Sequence, residues 1–219
     1  MTNNEYENAT WREYARCHLS VLTSMQWALF KEAAAWLAGD VVDCGCGSAK
    51  LAPLLVENEA VTSYTGIDYS PDMTNVARGL ISKLFAQKPL DVITDKIENV
   101  SGQTFSSAVS IHSYYTWTNT EQVLAGIYRL LRAGSYFVLV TPNPELDMVR
   151  LMRESEKELL GHPDFEAFKN LNILLSENLS AKWATMDHLI EETRRMGFQV
   201  TECHQRHYLG GVNFLVLKK

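Results

Sequence analysis

Val41-Val42-Asp43-Cys44-Gly45-Cys46-Gly47-Ser48-Ala49-Lys50 is the stretch from which the rest of the chain is read. Two β-branched residues lead into an acid, then two glycines one residue apart, then a polar helix start. A strand breaking into such a turn lets the backbone approach a ligand closely, because glycine lacks a Cβ and tolerates positive φ. The acid before the glycines decides which ligand. A G-x-G-x-x-G loop cradles a pyrophosphate on backbone amides and a helix N-terminus, where a carboxylate would repel it. Here Asp43 precedes the glycines and Lys50 stands at the third glycine position of that fingerprint. The turn therefore suits a ligand carrying positive charge.

With Asp43, Gly45 and Gly47 in place, the stretch resembles the first motif of the class I S-adenosylmethionine (SAM) dependent methyltransferases, acid-x-Gly-x-Gly-x-Gly, with Ala49 at the third glycine. A second acid, Asp68, follows 25 residues later at the end of Tyr64-Thr65-Gly66-Ile67-Asp68, where nucleotide-binding α/β folds hold the ribose. The resemblance implies that Asp68 takes the adenosine hydroxyls, that Tyr69 and Met73 lie against the adenine, and that Asp95, with Lys96 and Ile97, meets the adenine amino group. It places Gly45, Cys46, Gly47 and Ile111 at the cofactor as well. The implied cofactor is S-adenosyl-L-methionine. The resemblance covers residues 36 to 141 and the terminal hairpin.

Composition narrows the partners. Twenty basic against 26 acidic residues give a formal charge of −6, and no basic run could track a phosphate backbone. We expect no nucleic acid partner. With no N-terminal apolar h-region and no apolar run near twenty residues, we expect no membrane segment and a cytoplasmic protein. Cys17, Cys44, Cys46 and Cys203 lack metal or redox spacing, and Cys44 and Cys46 are read as packing residues beside the glycine turn.

Strands are expected at Asp40–Cys44, Ser63–Asp68, Leu90–Thr94, Phe105–Ile111 and Tyr136–Thr141, with helices from Lys50, Ser70 and Thr120. Ser70-Pro71-Asp72 is a strong helix start. Two helices are expected between Glu5 and Leu37. The first presents Trp11, Tyr14, Ala15 and His18 on one face, and the second runs from Val21 to Leu37. A helix from Thr185 to Met196 and two strands, Phe198–Tyr208 and Val212–Lys218, close the chain. The pattern is an α/β, doubly wound, Rossmann-like sheet of seven strands, mostly parallel with one antiparallel edge strand. We expect a single domain over 1–219. Residues 1–38 are a helical cap, 39–144 and 185–219 the SAM-binding core, and 145–184 a helical insert that completes the cap.

His112 follows the fourth strand and is our candidate base, with Tyr14 and Tyr115 the aromatics expected at the reacting group. Trp11, Tyr114, Trp117, Trp183 and Tyr208 are further rings that a sulfonium would attract. His204 and His207, read as lying on one strand, should point to opposite faces, so no metal is expected. His162 is read as a loop or cap residue, and Asn143 marks the end of strand five. The expected activity is transfer of a methyl group to a small-molecule acceptor. Ser106 stands where the resembled family carries an acid after Phe105, which keeps a second chemistry in view: attack on the aminocarboxypropyl arm, releasing 5′-methylthioadenosine. A non-catalytic SAM-binding module is the third reading.

Overall fold

In the sheet, β-branched and aromatic runs alternate with capped amphipathic helices, and each run becomes a strand. A computed structural model describes residues 14, 15, 17–85 and 87–219. Its strands are β1 (Gly39–Cys44), β2 (Val61–Asp68), β3 (Leu90–Thr94), β4 (Phe105–Ile111), β5 (Leu131–Pro142), β6 (Gln199–His204) and β7 (Val212–Lys218). Its helices are α1 (Ser24–Ala34), α2 (Ala52–Glu57), α3 (Pro71–Ile81), α4 (Thr120–Leu130), α5 (Met148–Glu156), α6 (Phe165–Leu179) and α7 (Met186–Arg195). Tyr14, Ala15, Cys17 and His18 are also helical, whereas Trp11 lies outside the described residues. No described helix is long and apolar enough to cross a membrane.

The seven strands lie in the order β3-β2-β1-β4-β5-β7-β6. β1 to β5 pair in parallel, and β7, lying between β5 and the edge strand β6, runs antiparallel to both. The connections reverse direction between β1 and β4, and in such sheets the crevice for a ligand opens at that switch point, outside the carboxyl ends.

Side chains alternate across the sheet, so Val41 and Val42 enter different cores. Val41, Tyr64, Val109, Val138 and Phe214 pack under Leu29, Phe30, Ala33, Leu55 and Ala77 of α1, α2 and α3. Val42, Ile67, Phe137 and Leu215 pack under Val123, Leu124 and Ile127 of α4 and Leu189 of α7. Each fully buried Val, Leu or Phe contributes about 1.5–3 kcal/mol of transfer free energy. A third cluster lies apart from these two. Cys17, Val21, Leu146, Leu151, Met152, Phe165, Phe168 and Leu171 bring the N-terminal segment onto the insert. Leu146, Leu151, Met152 and Phe168 of that cluster also line the crevice, and we refer to it as the lid.

Several ends differ from the sequence reading, each for a local reason. α1 starts at Ser24 and not Val21, because the Thr23 side chain accepts from the Gln26 N–H and caps it there. α2 starts at Ala52 and not Lys50, after a turn through Ala49. β5 begins at Leu131, which pairs with Phe105 before a register shift brings Ser107 opposite Tyr136. The largest difference is at β6, which ends at His204 and not at Tyr208. The chain then turns through Tyr208 and Leu209, both with left-handed φ (49° and 57°). His207 is therefore off the strand, and the expectation that it opposes His204 is wrong. Both imidazoles reach Glu32.

Candidate functional site

The cavity opens at the carboxyl ends of β1, β2 and β4, and its floor is the glycine turn. The Gly45 and Cys46 amides donate to the Ile67 carbonyl at 2.8 and 3.0 Å, tying the turn to β2. Gly45 and Gly47 take positive φ (78° and 54°), and so does Ala49 (59°). Ala49 thus keeps the glycine-like backbone of the third motif position, at a cost of about 1 kcal/mol for an L-residue. The two glycines are small for different reasons. A Cβ on Gly45 would stand 2.3 Å from the Ser113 Cβ, so this position is closed by protein packing. A Cβ on Gly47 would meet nothing nearer than the His18 ring at 3.7 Å, so its open side faces the cavity. Cys44 and Cys46 are buried, and Cys46 Sγ occupies the space beside Gly66, in keeping with a packing role.

Asp68 clasps two loops. One carboxylate oxygen accepts from the Gly47 N–H at 2.9 Å, and the other from the Ser70 N–H at 2.9 Å. Burial pushes this carboxyl up, and the two amide bonds oppose that shift. Asp43 is buried and accepts from the Tyr64 hydroxyl at 2.9 Å. Burial carries its carboxyl up to about 7, with Tyr64 pulling down and Asp68 pushing further up. A carboxyl held there is poised to ionise against a cationic ligand. Tyr69, half exposed at the rim, and buried Met73 line the cavity beside Asp68, and Ile111 lines it from β4. Asp95, Lys96 and Ile97 do not. Asp95 is exposed, and its carboxylate accepts from the Lys96 N–H at 2.7 Å and Asn99 Nδ2 at 2.8 Å. Lys96 is exposed and Ile97 packs in the core under α4.

His112, Tyr14 and Tyr115 all line the same cavity. His112 is left-handed (φ 59°), its ring stacks on Tyr208 at 5.2 Å, and both ring nitrogens are buried with no hydrogen-bond partner among the described residues. An unmet buried donor or acceptor costs about 1–3 kcal/mol, which a ligand's polar group would recover. Burial, with Lys50 nearby, pulls His112 down to about 4. Tyr14 donates to Asn172 of α6 at 3.2 Å and stacks on Phe168. Burial pushes the Tyr115 phenol up to about 12, so it stays neutral at physiological pH.

Two basic residues were missed. His18 Nδ1 meets Ser48 Oγ at 2.8 Å, and burial pulls the imidazole well down. Lys50 donates to the Val21 carbonyl and Gln26 Oε1, has no carboxylate partner among the described residues, and is pulled down to about 7 by burial. Both line the cavity, as do Leu146, Leu151, Met152 and Phe168 of the lid. His18 had a signal, its place on the Tyr14 helical face, but an aromatic face reads first as packing. Of the remaining rings, Tyr208 is at the site, Tyr114 donates to Glu192 at 2.6 Å, and Trp117 packs on the opposite core. Trp183 joins the lid cluster. His162 accepts from the Asp164 N–H, and Asn143 Nδ2 donates to the Gly210 carbonyl. Ser106 sits at the amino end of β4, beside Gly39, where it accepts from Arg132 at 2.6 Å. It is on the order of 15 Å from the cavity along the strand and does not act there.

These residues fit the implied cofactor. Gly47 keeps open a cradle that a side chain would enter, buried Asp43 and half-buried Asp68 stand ready for a cationic ligand and its hydroxyls, and an aromatic ring flanks them. Comparison with known proteins agrees. Residues 42–139 match a family model described as a methyltransferase domain. No curated protein matches the chain by sequence. Among solved structures, the chain is similar to a mycolic acid cyclopropane synthase complexed with SAH and CTAB. That pair shares 17% identity, with 89% of this chain and 84% of that one covered and a TM-score of 0.66. It is similar also to a SAM-dependent methyltransferase from Aquifex aeolicus (13% identity, 90% and 89% covered, TM-score 0.64). A third neighbour is the [4+2]-cyclase SpnF (14% identity, 88% and 80% covered, TM-score 0.68). Motif and sheet order agree with these matches: residues 42–139 are similar to a methyltransferase domain, and the fold is one shared with SAM-dependent methyltransferases.

Proposed function

We propose that this chain methylates a small, largely apolar acceptor that brings one polar, nucleophilic group to His112. The observation that carries the reading is the make-up of the cavity. Acids and the glycine cradle stand at the sheet end, and the same cavity is lined by His112, whose buried ring nitrogens have no partner among the described residues, and by Leu146, Leu151, Met152 and Phe168. Bound SAM supplies an electrophilic methyl group on a sulfonium whose sulfur is already the leaving group. The protein's part is then mainly alignment, holding the nucleophile within roughly 3–3.5 Å of the reacting carbon.

Asp68 and Gly47 fix the cradle, Asp43 balances positive charge in it, and Tyr69 and Met73 wall the adenosine end. His112, neutral at physiological pH because burial holds it near 4, offers a ring lone pair to an acceptor N–H or O–H. A base so weak orients a proton better than it removes one. This favours an amine or another acceptor that is nucleophilic without prior deprotonation by the enzyme. The apolar lid keeps water off the electrophile. The chain's formal charge of −6 argues against a nucleic acid acceptor.

The test is purified protein with methyl-labelled SAM and a cell extract divided by ultrafiltration. Label should enter compounds of the low-molecular-weight fraction. Label found only in macromolecules would overturn the small-acceptor reading.

A further inference from the structure

We propose that Glu32, His204 and His207 form a binding site for one divalent transition-metal ion, of the zinc type, outside the cofactor cavity. Glu32 is on α1, His204 is the last residue of β6, and His207 stands in the turn that follows. Their three ligand atoms lie within 4.8 Å of one another. His204 Nε2 is 2.8 Å from Glu32 Oε1, and His207 Nε2 is 2.7 Å from Glu32 Oε2. A tetrahedral ion with bonds of about 2.0–2.1 Å sets its ligand atoms roughly 3.3 Å apart, so the two His–Glu pairs would open by about half an ångström and the widest pair would draw in by up to about 1.5 Å. Two imidazoles and a carboxylate are a ligand set that zinc, cobalt and nickel accept, and they leave one position for water.

The site is built, not incidental. The His204 and His207 side chains are only 10% and 12% exposed. The His204 ring is held flat against Phe214, 4.7 Å away and 9° from parallel, and Phe214 is fully buried. Burial pushes the Glu32 carboxyl up, but donors from Arg206, His207 and His204 outweigh it and hold it ionised. Arg206 Nη2, 2.6 Å from Glu32 Oε1, occupies part of the space for a cation, yet its side chain is 63% exposed and free to swing into water. On metal binding each Nε2 presents its lone pair, its proton passing to Nδ1 or to solvent. At His204 this gives up the 2.8 Å hydrogen bond to Glu32 and a long contact, 3.4 Å, from the Arg206 N–H to Nδ1.

The position gives the ion a role. It would pin α1 to the turn whose next residue, Tyr208, takes left-handed φ and stacks on His112 in the cavity. A metal here braces the wall behind His112 without touching the reacting groups.

The test is metal-stripped full-length protein titrated with Zn²⁺ against a chromogenic chelator, and with Co²⁺ followed by visible absorption. One ion per chain should bind, with the absorption of a nitrogen- and oxygen-ligated Co²⁺. Glu32→Gln and His207→Ala should each weaken Zn²⁺ binding at least about tenfold, while the exposed control His188→Ala should not. Arg206→Ala separates the proposal from a purely internal ion-pair network and spares the ligands. It should tighten Zn²⁺ binding, by removing the competing guanidinium. Absence of a bound ion in both the wild type and Arg206→Ala would overturn the proposal, as would binding indifferent to Glu32→Gln and His207→Ala.

Discussion

The two halves of the cavity are made differently. The half we assign to the cofactor comes from neighbouring strand ends and the turns after them: Asp43, Gly45, Gly47, Asp68, Tyr69 and Met73 all lie between the start of β1 and the first turn of α3. The lid half is gathered from His18 and Lys50, from Leu146 to Asn172, and from Tyr208, segments far apart in the chain. The first half is rigid by construction, with backbone amides locked to Ile67 and Asp68. The second is held by an apolar cluster and a few side-chain bonds, such as Tyr14 to Asn172. A half built on strand ends can preserve one cofactor while a lid of interchangeable apolar residues is fitted to different acceptors. This contrast predicts that variants in the two halves have separable effects.

The largest effect should come from the closed glycine of the turn. Gly45→Val forces a branched side chain into Ser113 at positive φ and should cost about 3 kcal/mol or more of folding stability, read from urea unfolding. Gly47→Ala meets open space and should cost only about 1 kcal/mol while impairing SAM binding. Equal loss of stability in the two variants would remove the distinction between packing glycine and cradle glycine.

Next comes Asp68. Its replacement by Ala removes charge-assisted hydrogen bonds and should weaken SAM binding by about 2–4 kcal/mol in calorimetric titration, leaving the acceptor KM little changed. Wild-type SAM affinity in that variant would take Asp68 out of the cofactor half. On the lid side, His112→Asn is the informative change, since Asn tolerates the left-handed φ of 59°. SAM affinity should stay within about threefold while kcat falls on the order of ten- to a hundredfold. A matched loss of SAM affinity would mean that the halves are not separable at His112.

The smallest effect is a pH dependence. Between the ordinary carboxylate range and about 7, folded Asp43 keeps a proton that the unfolded chain has lost. Its contribution to stability is therefore full at low pH and fades as pH rises through about 7. Binding a cationic cofactor favours the carboxylate, so SAM affinity should rise with pH, by at most about tenfold per unit, and level off above about 7. Asp43→Asn should flatten that profile. An unchanged profile would assign the dependence to another group.

Which parts of this were legible in the sequence follows the same division. Strand ends carry their meaning locally: Val41 to Lys50 placed the turn, and the spacing to Asp68 placed the second acid, because neighbouring parallel strands set that distance. Asp95 shows the limit, since its position was legible but its carboxylate folds onto Lys96 and Asn99. Lys50 and Phe168 are brought together, with the amine 5.4 Å from the ring, only by packing of the insert. No local pattern encodes that contact. His204 and His207 were misjudged because strand parity was carried past the point where β6 ends.

The nucleoside left behind tests the central claim most directly. Purified protein is incubated with SAM, with and without a low-molecular-weight acceptor fraction, and the products are separated by liquid chromatography. Methyl transfer in a cavity of this build predicts S-adenosylhomocysteine, formed only when acceptor is present. Accumulation of 5′-methylthioadenosine without acceptor, above the non-enzymatic rate, would contradict it and show attack on the aminocarboxypropyl arm.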